Sequence, residues 1–409
     1  MLKTQDDKLD LKTEAVLEPT IQFHNPLSKN LVEPKSIFLT GATGLLGAYL
    51  LDELLHKTTA DIYCLVRCHH SDEGKQRLQS NLQFYSLWKE TFSSRIIPIV
   101  GDLSKSRFGL SEAEFRELAG QIDIIYHNGA QVSFIRPYSA LKTINVIGTI
   151  EVLRLAGIIQ TKPVHFISTL AVFLSKTYAP TDQILETDVP EFIPNMKGGY
   201  KQSKLVAEKL VMAAQERGLP ANIYRPVRIM GDSKTGMTSN LNDSLCSLIK
   251  GCIQIGKFPT LDIPIAIVPV DYVSQAIIHL SRQEKLSGKA FHLFNPNSIS
   301  WQTFFNKVRS LGYPLEEVSY DDWLAALKNK ASQQPEDKLY PFLLLFLRSP
   351  NNLMAKKPLF DAHRTFEELA SASIVCPKVD TELLPTYLAY FQKIGYIPPS
   401  DSTSSTFGK

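Results

Sequence analysis

Cysteine is scarce in this sequence of 409 residues, and its five cysteines show neither a Cys-x-x-Cys pair nor the spacing of metal ligands. This scarcity argues against a disulfide framework and is typical of proteins from a reducing compartment. His127, His165 and His292 lie in strand-like runs and also lack a partner at ligand spacing. We therefore expect no metal, and we expect these histidines to pack in the core or beside a cofactor.

An excess of charge of one sign is also missing, since 44 basic side chains balance 41 acidic ones and leave a formal net charge of +3. Without a basic arm there is no reason to expect a nucleic-acid partner. The most apolar run, residues 340–347, is far shorter than the roughly 20 residues that span a bilayer. The first residues contain no apolar signal-peptide core. We expect a cytoplasmic protein with no membrane partner.

The most informative stretch is a glycine-rich turn, Thr40-Gly41-Ala42-Thr43-Gly44-Leu45-Leu46-Gly47, between a short apolar run and a helix-like segment. Strand, turn and helix in this order are the context of a dinucleotide-binding fingerprint. Gly41 allows a tight turn, Gly44 allows a pyrophosphate to approach, and Gly47 allows the helix to pack on the strand. The spacing Gly-x-x-Gly-x-x-Gly is typical of the short-chain dehydrogenase type of Rossmann fold, although an ordinary glycine turn would share the pattern.

Strand-like and helix-like runs alternate from residue 34 onward, which predicts parallel βαβ units with right-handed crossovers. The expected fold class is α/β, a Rossmann-type doubly wound parallel sheet with a smaller, mainly helical C-terminal substrate region. The predicted strands cover residues 37–40, 61–66, 95–100, 122–127, 164–169 and 221–226. The predicted helices cover 45–56, 72–89, 112–119 with a capping box of Ser111 and Glu114, 145–155 and 205–216.

The same pattern divides the chain into four segments. Residues 1–33 are polar and are expected to form a leader or linker. An NADP-binding Rossmann domain is expected from residues 34–230 plus 263–282, with strand-like text at 265–270. A substrate-binding region is expected from residues 231–262 plus 283–398, with one strand at 291–294. The Ser/Thr-rich tail, residues 399–409, is expected to be disordered.

The second predicted strand ends in Arg67, where an NAD enzyme usually has an acidic residue that binds the adenosine ribose. An arginine at this place favours a 2′-phosphate, so the sequence predicts NADPH rather than NADH. Lys75 and Arg77, near the start of the next helix, either join this phosphate site or remain solvated. Asp102 is expected beside the adenine, and the small residues in Asn128-Gly129-Ala130 leave room for the cofactor ribose.

A tyrosine and a lysine four residues apart, Tyr200 and Lys204, run into the helix predicted at 205–216, and their spacing places them on one helical face. They follow a predicted strand that ends in Ser168 and Thr169. Reduction of a carbonyl creates an oxyanion, which needs a proton donor and a hydrogen bond. We expect Tyr200 to donate the proton, Lys204 to lower the tyrosine pKa and bind the ribose hydroxyls, and Thr169 to bind the carbonyl oxygen. Ser168 competes for the last role, but strand alternation turns it the other way.

Together these residues resemble the extended short-chain dehydrogenase/reductases, and more narrowly the thioester reductase domains that end nonribosomal peptide synthetases and polyketide synthases. Related reductase domains end carboxylic acid reductases and aminoadipate reductase. The resemblance covers residues 10 to 280 well and the rest of the chain loosely. It is carried by residues 38–48, 65–67, 101–103, 127–130, 145–149, 167–169 and 224–226, and by Tyr200-x-x-x-Lys204.

The resemblance implies a triad of Thr169, Tyr200 and Lys204 and a substrate tethered by phosphopantetheine to an acyl or peptidyl carrier protein. Hydride attack on the thioester would give a hemithioacetal, which collapses to an aldehyde and the carrier thiol, and a second round would give an alcohol. Residues 10–21 resemble the linker that follows a carrier protein. The implied NADPH contacts are Gly41, Thr43, Gly44, Leu45, Leu46, Gly47, Arg67, Arg77, Asp102, Leu103, Asn128, Gly129, Ala130, Asn145, Tyr200, Lys204, Pro226 and Val227.

Two other interpretations of the sequence stay open. The first is another extended short-chain enzyme, such as a fatty acyl-CoA reductase, a hydroxysteroid dehydrogenase or an NAD(P)-dependent epimerase. A fatty acyl-CoA reductase should show a membrane-targeting stretch, and an epimerase should prefer an acid in place of Arg67. The second is a non-catalytic NADP-binding protein, which would tolerate loss of Tyr200. A hydrolase is not indicated, because no Gly-x-Ser-x-Gly segment is present. The sequence fits both a domain of a multidomain synthetase and a free-standing monomer.

Overall fold

The chain forms two compact units in a computed structural model that describes residues 10–28, 31, 33–133, 135–174, 181–193, 196–334, 336–337, 339–340, 343–344 and 358–400. The first unit comprises Met1–Val227, Val273–Leu293 and Pro358–Val375, and the second comprises Arg228–Tyr272, Phe294–Lys357 and Cys376–Lys409. Of the tail predicted to be disordered, residues 401–409 lie outside the described part of the chain.

The regular elements are numbered here in chain order. Within the described residues the strands are β1 (Ser36–Thr40), β2 (Asp61–Val66), β3 (Ile96–Val100), β4 (Ile124–His127), β5 (Val164–Ile167), β6 (Gln183–Ile184), β7 (Ala221–Pro226), β8 (Arg228–Met230), β9 (Lys257–Pro259), β10 (Pro264–Ile265), β11 (Ile267–Pro269), β12 (Ala290–Leu293), β13 (Ile299–Ser300), β14 (Glu316–Val318) and β15 (Leu359–Phe360). The α-helices there are α1 (Leu11–Glu14), α2 (Leu45–Lys57), α3 (Ser71–Phe84), α4 (Glu112–Gln121), α5 (Tyr138–Lys142), α6 (Gly148–Gly157), α7 (Gly199–Glu216), α8 (Ser244–Ile255), α9 (Val270–Ser281), α10 (Trp301–Ser310), α11 (Tyr320–Gln333), α12 (His363–Ser371) and α13 (Leu384–Lys393).

The central sheet of the first unit has seven parallel strands in the order β12-β7-β5-β4-β1-β2-β3. All residues of β4 and β5 are buried, as expected where helices cover both faces of a parallel sheet. The strand order reverses between β1 and β4, and ligands of open α/β sheets bind beyond the carboxyl ends of the strands at such a point. The predicted Rossmann-type α/β fold is therefore confirmed.

Two strand-like runs pair with strands of a different unit from the domain that the sequence predicts for them. The strand predicted at 291–294 is β12, which pairs with β7 at the edge of the central sheet, although the sequence pattern assigned it to the substrate region. The run 265–270 is divided between β10 and β11, and β11 pairs with β8 in the second unit. Both runs are short and apolar, so their pattern predicts a strand without specifying the partner strand.

Helix boundaries also differ from expectation at a few places. The helix predicted over 72–89 ends at Phe84, because Ser86 takes a left-handed φ of 59°. The helix predicted from residue 145 begins as a π-helical turn, Thr143–Ile147, that joins α5 to α6. The capping box of Ser111 and Glu114 is present, with both of its hydrogen bonds formed.

The leader is packed against the first unit rather than free of it. Residues 10–28 form a strap whose apolar side chains Leu11, Leu17, Ile21 and Phe23 are buried. The guanidinium of Arg217 donates hydrogen bonds to three carbonyl oxygens of the strap. Glu14 and Glu18 form ion pairs of 2.7 Å with Lys142 and Arg154. Residues 10–28 of the predicted leader are therefore held against the first unit.

The second unit has its own hydrophobic core. Helices α8, α10, α11 and α13 and the two-stranded pairs β8–β11, β9–β14 and β10–β13 surround it. Its largest fully buried side chains are Trp301 and Trp323, and the rings of Phe258 and Phe305 stack with centroids 5.0 Å apart. None of the helices in the described ranges is long and apolar enough to cross a membrane.

Candidate active site

The turn between β1 and α2 has the geometry that its glycines predict. Gly41 adopts a φ of 75°, which favours glycine. A Cβ on Gly47 would lie 1.9 Å from the carbonyl oxygen of Gly41, so only glycine lets α2 pack this closely. A Cβ on Gly44 would meet only that same oxygen, at 3.5 Å. Among the described residues no side chain caps α2 at Gly44, so the helix N-terminus is suited to an anion and the turn fits a pyrophosphate.

Neighbouring elements hold this turn from two sides. The side-chain amide of Asn81 on α3 donates to the carbonyl oxygens of Ala42 at 3.1 Å and Gly44 at 3.3 Å. Asn128, after β4, donates to the carbonyl oxygen of Gly41 at 3.3 Å. Asn128 is among the predicted site residues, whereas Asn81 is not, because a single helical asparagine carries no sequence signal for such a contact.

The predicted phosphate-binding arginines come together at the end of β2. Arg67 and Arg77 are both exposed, and the guanidinium of Arg77 on α3 donates to the carbonyl oxygen of Arg67. A cavity of about 390 Å³ opens beside Arg77 and is lined by Thr43, Gln76, Arg77, Ser80, Asn81 and Phe84. Thr43 and Arg77 are thus near neighbours, although 34 residues separate them in the chain.

Asp102 and Leu103 follow β3 and shape the loop there. The carboxylate of Asp102 accepts from the backbone N–H of Ser104 at 2.8 Å, and Asp102 itself is half-buried. The side chain of Leu103 fills the space at Gly129, where a Cβ would lie 2.5 Å from Leu103 Cδ1. The next predicted residue, Ala130, is half-buried after β4.

Asn145 lies in the π-helical turn and is 2% exposed. Its side-chain oxygen accepts from the N–H of Gln131 at 2.7 Å. Its amide donates to the carbonyl oxygen of Gln131 at 3.0 Å and to the hydroxyl of Ser203 at 2.9 Å. Both side-chain donors are therefore used within the chain. Asn145 thus joins the loop after β4 to α7, and its contact with the cofactor stays a prediction.

His127 connects the glycine turn to α6 in the core. Its Nδ1 lies 2.8 Å from the hydroxyl of Thr40, and its Nε2 lies 3.0 Å from the hydroxyl of Thr149. Burial, assisted by the charge of Lys204, lowers the pKa of His127 to about 3, so the imidazole is neutral. Among the residues that the structure describes, no group of three His, Cys, Asp or Glu side chains is placed to hold a metal ion.

Thr169 and Ser168 leave the end of β5 on opposite sides, as strand alternation predicts. The hydroxyl of Thr169 donates to the carbonyl oxygen of Pro226 at 3.3 Å and accepts from the N–H of Ala171 at 3.2 Å. The hydroxyl of Ser168 is buried and donates to the carboxylate of Glu208. Thr169, which is half-buried, is therefore the better placed of the two hydroxyls for a ligand. The neighbouring predicted residue, Val227, bonds to the edge strand through its N–H, which donates to the carbonyl oxygen of Leu293 at 3.0 Å.

Tyr200 and Lys204 lie one turn apart at the start of α7. The ammonium of Lys204 donates to the carbonyl oxygen of Ile167 at 2.7 Å and lies 4.1 Å from the ring centroid of Phe166. Lys204 is only 3% exposed. Contact with Ile167 brings Lys204 to the end of β5, two residues before Thr169, and Tyr200 lies one helical turn before Lys204.

The pKa values at this place are set mainly by burial. Burial lowers the pKa of Lys204 to about 7, and the charge of Glu208 opposes that change. Burial raises the pKa of Tyr200 to about 12. The latter direction is opposite to the predicted lowering of the tyrosine pKa by Lys204, because in this structure desolvation of the phenol dominates and the ammonium is directed at a backbone carbonyl.

A buried ion pair completes the β5–α7 side of the site. Arg225 on β7 and Glu208 on α7 have fully buried side chains, with Nη2 and Oε1 2.8 Å apart. Glu208 was not among the predicted site residues. Its spacing of four from Lys204 was a usable signal, since residues four apart share a helix face.

The sheet order, the glycine turn and the tyrosine–lysine pair define a Rossmann-fold oxidoreductase of the extended short-chain dehydrogenase type with an NAD(P) site. The family described as Male sterility protein matches residues 39–277. The terminal R domain of the myxalamid PKS-NRPS biosynthetic pathway has 40% sequence identity and a TM-score of 0.90, covering 96% of this chain and 99% of that one. The chain therefore belongs to the Male sterility protein family and to the group of reductase domains represented by that structure, as the sequence resemblance predicted.

Two curated relatives extend this comparison. One of the subunits of linear gramicidin synthase from Brevibacillus parabrevis is 40% identical over 397 residues, which are 97% of this chain and 8% of that protein. L-2-aminoadipate reductase from Saccharomyces cerevisiae is 31% identical over 419 residues, covering 94% of this chain and 30% of that protein. The chain thus spans less than a third of the length of these relatives.

Proposed function

We propose that this chain is an NADPH-dependent thioester reductase, which releases an acyl or peptidyl group from a phosphopantetheinyl carrier protein as an aldehyde. The observation that carries the proposal is the placement of Tyr200 and Lys204 on α7, with Lys204 bonded to the strand end that bears Thr169. The similarity to a terminal R domain, to a gramicidin synthase and to an aminoadipate reductase supports a thioester as the substrate.

The residues around the glycine turn support NADPH as the cofactor, which supplies the hydride when bound. The open backbone at Gly44 and the uncapped start of α2 suit its pyrophosphate. Arg67 and Arg77 are proposed to bind its 2′-phosphate, because their guanidinium groups are exposed at the end of β2. Asn145 contributes by holding the loop after β4 and the start of α7 together.

The proposed catalytic residues act on the carbonyl oxygen of the thioester. Thr169 donates a hydrogen bond to this oxygen in place of its bond to the carbonyl oxygen of Pro226, and Tyr200 gives it a proton as negative charge develops. With a pKa of about 12, Tyr200 keeps its proton at neutral pH until the oxyanion forms. In its charged form Lys204 stabilises the resulting phenolate. The hemithioacetal then collapses to an aldehyde and the carrier thiol, so that one hydride and one proton are consumed for each thioester.

The second unit is proposed to form the substrate-binding region, because the proposed cofactor-binding and catalytic residues all lie in the first unit. The carrier protein is proposed as the partner, since the similar gramicidin synthase is a far longer protein, of which this chain matches 8%. The strap of residues 10–28, part of which resembles a carrier linker, is consistent with attachment to such a protein.

The test is NADPH oxidation upon addition of an acyl-phosphopantetheinyl carrier protein or a short thioester mimic, with the product identified by mass spectrometry. We expect an aldehyde, and we expect the reaction to be lost in Tyr200→Phe. Absence of NADPH consumption with every thioester, or full activity in Tyr200→Phe, would contradict the proposal.

A further inference from the structure

A single buried carboxylate joins the parts of the first unit that carry the proposed catalytic residues. Glu208 accepts through Oε2 from the hydroxyl of Ser168, the neighbour of Thr169. Through Oε1 it accepts from Nε and Nη2 of Arg225, at 3.0 and 2.8 Å. The residue after Arg225 is Pro226, whose carbonyl oxygen accepts from Thr169. Thr169 is therefore fixed from both sides by residues adjacent to this ion pair.

Arg225 extends the same network away from the catalytic residues. Its guanidinium donates to the carbonyl oxygens of Glu186 at 3.3 Å and Asp188 at 3.2 Å, and its Nη1 lies 3.1 Å from Nε2 of His292. The carboxylate of Glu186 in turn accepts from the N–H of His292 at 3.0 Å and from the hydroxyl of Thr365. The segment 183–193 and the edge strand β12 are thus joined to the ion pair.

Glu208 also continues the line of functional side chains along α7. Tyr200, Lys204 and Glu208 follow one another at intervals of four residues, so they share one face of the helix. Among the residues that the structure describes, Lys204 interacts electrostatically with Glu208 on this helix and with His127 on β4, and Tyr200 lies one helical turn before it. Because His127 is neutral, Glu208 is the negative group that favours the charged form of Lys204.

We propose that Glu208 and Arg225 are positioning residues of the reductase site. The carboxylate of Glu208 holds the strand end of Thr169 through Ser168, and its negative charge acts on Lys204 one helical turn away. Arg225 fixes Glu208 to the segment 183–193. A buried ion pair contributes little net stability compared with apolar side chains of the same size. A positioning role therefore accounts better than stability for a buried ion pair at this place. The kinetic part of this inference rests on the proposed thioester reduction.

The first experiment compares Glu208→Gln with Asp123→Asn by steady-state kinetics. Asp123 is a matched control because it is also a buried carboxylate, but it lies before β4, at the amino end of the sheet, and bonds to Ser28, Lys35 and Ser36. We expect Glu208→Gln to lower kcat about 10- to 100-fold with a nearly unchanged KM, as expected for lost orientation. At temperatures below its own melting temperature, Asp123→Asn should have the kcat of the wild-type protein. Wild-type kcat in Glu208→Gln, or an equal loss in both variants, would overturn the proposal.

A milder variant covers the case in which Glu208→Gln does not fold. Ser168→Ala removes one hydroxyl and leaves the ion pair in place. We expect a decrease in kcat of about three- to tenfold in Ser168→Ala, and no further decrease when it is added to Glu208→Gln, because both changes act through the same contact. An unaltered kcat in Ser168→Ala, or fully additive losses in the double variant, would contradict the positioning role.

A second experiment needs no substrate, so it separates this inference from the proposed function. The ammonium of Lys204 is titrated by NMR in protein labelled with [15N]lysine, and its signal is assigned by its loss in Lys204→Met. We expect the midpoint to move to lower pH by about one unit in Glu208→Gln, since a negative neighbour is removed. An unchanged midpoint would refute the coupling. If wild-type protein reduces no thioester, this titration still decides whether Glu208 controls Lys204.

Discussion

The two ends of the proposed site differ in the burial of their charged side chains, although both ends lie at the carboxyl edge of one sheet. At the end of β2, the charged side chains of Arg67 and Arg77 are exposed. At the end of β5, the charged side chains of Lys204, Glu208 and Arg225 are almost fully buried, and each of them has partners within the chain.

This difference reflects what a charge costs in each surrounding. An exposed guanidinium is solvated and needs no partner, so it can be reserved for a charge on the ligand. A buried charge without a partner is strongly destabilising, so the protein must supply the partner itself. Binding at the exposed end is therefore expected to depend on salt concentration. The buried end is expected to be sensitive to any substitution that changes the shape or charge of its side chains.

The largest effect is expected at the buried end, in Arg225→Met. This change leaves the carboxylate of Glu208 buried beside Ser168 without its cation, which costs about 3–5 kcal/mol of stability. Urea denaturation should show this loss. The double variant Glu208→Gln/Arg225→Met, which has no unpaired charge, should regain most of it. Equal instability of the single and double variants would show that packing, and not the charge, is the cause.

Lys204→Met should abolish most activity without destabilising the protein. Loss of this ammonium is expected to lower kcat about 10²- to 10³-fold, as for other preorganised electrostatic groups. Burial lowers the pKa of Lys204 from 10.5 to about 7. Between these values the unfolded chain binds the proton and the folded chain does not, so the contribution of Lys204 to stability rises with pH across this window.

The stability difference between Lys204→Met and the wild-type protein should depend on pH, because the contribution of Lys204 to stability rises with pH. The penalty of the buried ammonium is fully present at pH 7 and below, and it disappears toward pH 10.5. The free energy of unfolding of Lys204→Met should exceed that of the wild-type protein by about 2 kcal/mol or more at neutral pH, and this difference should shrink at high pH. Melting curves of both proteins across this pH range test it. A difference that stays constant with pH would contradict the depressed pKa of Lys204.

A smaller effect is expected at the exposed end, in Arg67→Ala. This change should weaken NADPH binding about tenfold and leave NADH binding nearly unaltered, because a charge-assisted hydrogen bond to the 2′-phosphate is lost. Calorimetric titration with both nucleotides measures this. Lys57→Ala, an exposed lysine at the C-terminal end of α2, serves as the control for general loss of positive charge. Equal weakening of NADPH and NADH in Arg67→Ala would refute the 2′-phosphate assignment.

The smallest effect is expected from salt alone. Raising the ionic strength should weaken NADPH binding about two- to fivefold through screening of the exposed arginines. The value of kcat at saturating substrate should change less, because the charges around Lys204 are shielded from solvent. Titrations and kinetics over one series of salt concentrations would reveal whether the two ends differ in this way.

The sequence predicted those parts of the site that depend on residues close together in the chain. The glycine turn, the opposite directions of Ser168 and Thr169, and the helical spacing of Tyr200 and Lys204 all follow from neighbours along the chain. The contacts of Asn81 and Asn145, and the pairing of Glu208 with Arg225, depend on which elements meet in space. For the same reason β12 was recognised as a strand but assigned to the wrong side of the domain boundary.

The strap of residues 10–28 determines where an upstream segment would leave the first unit. If residues 10–33 were a free tether, their 24 residues could extend by about 80 Å, at about 3.4 Å each. Instead Glu14 is bound to Tyr138 and Lys142 on α5, so any such tether is anchored there. Next to this anchor, the close packing of Gly199 on Pro137 joins α5 to the start of α7. Chain that precedes residue 10 would therefore leave the first unit beside α5, which packs against the start of the helix that carries Tyr200.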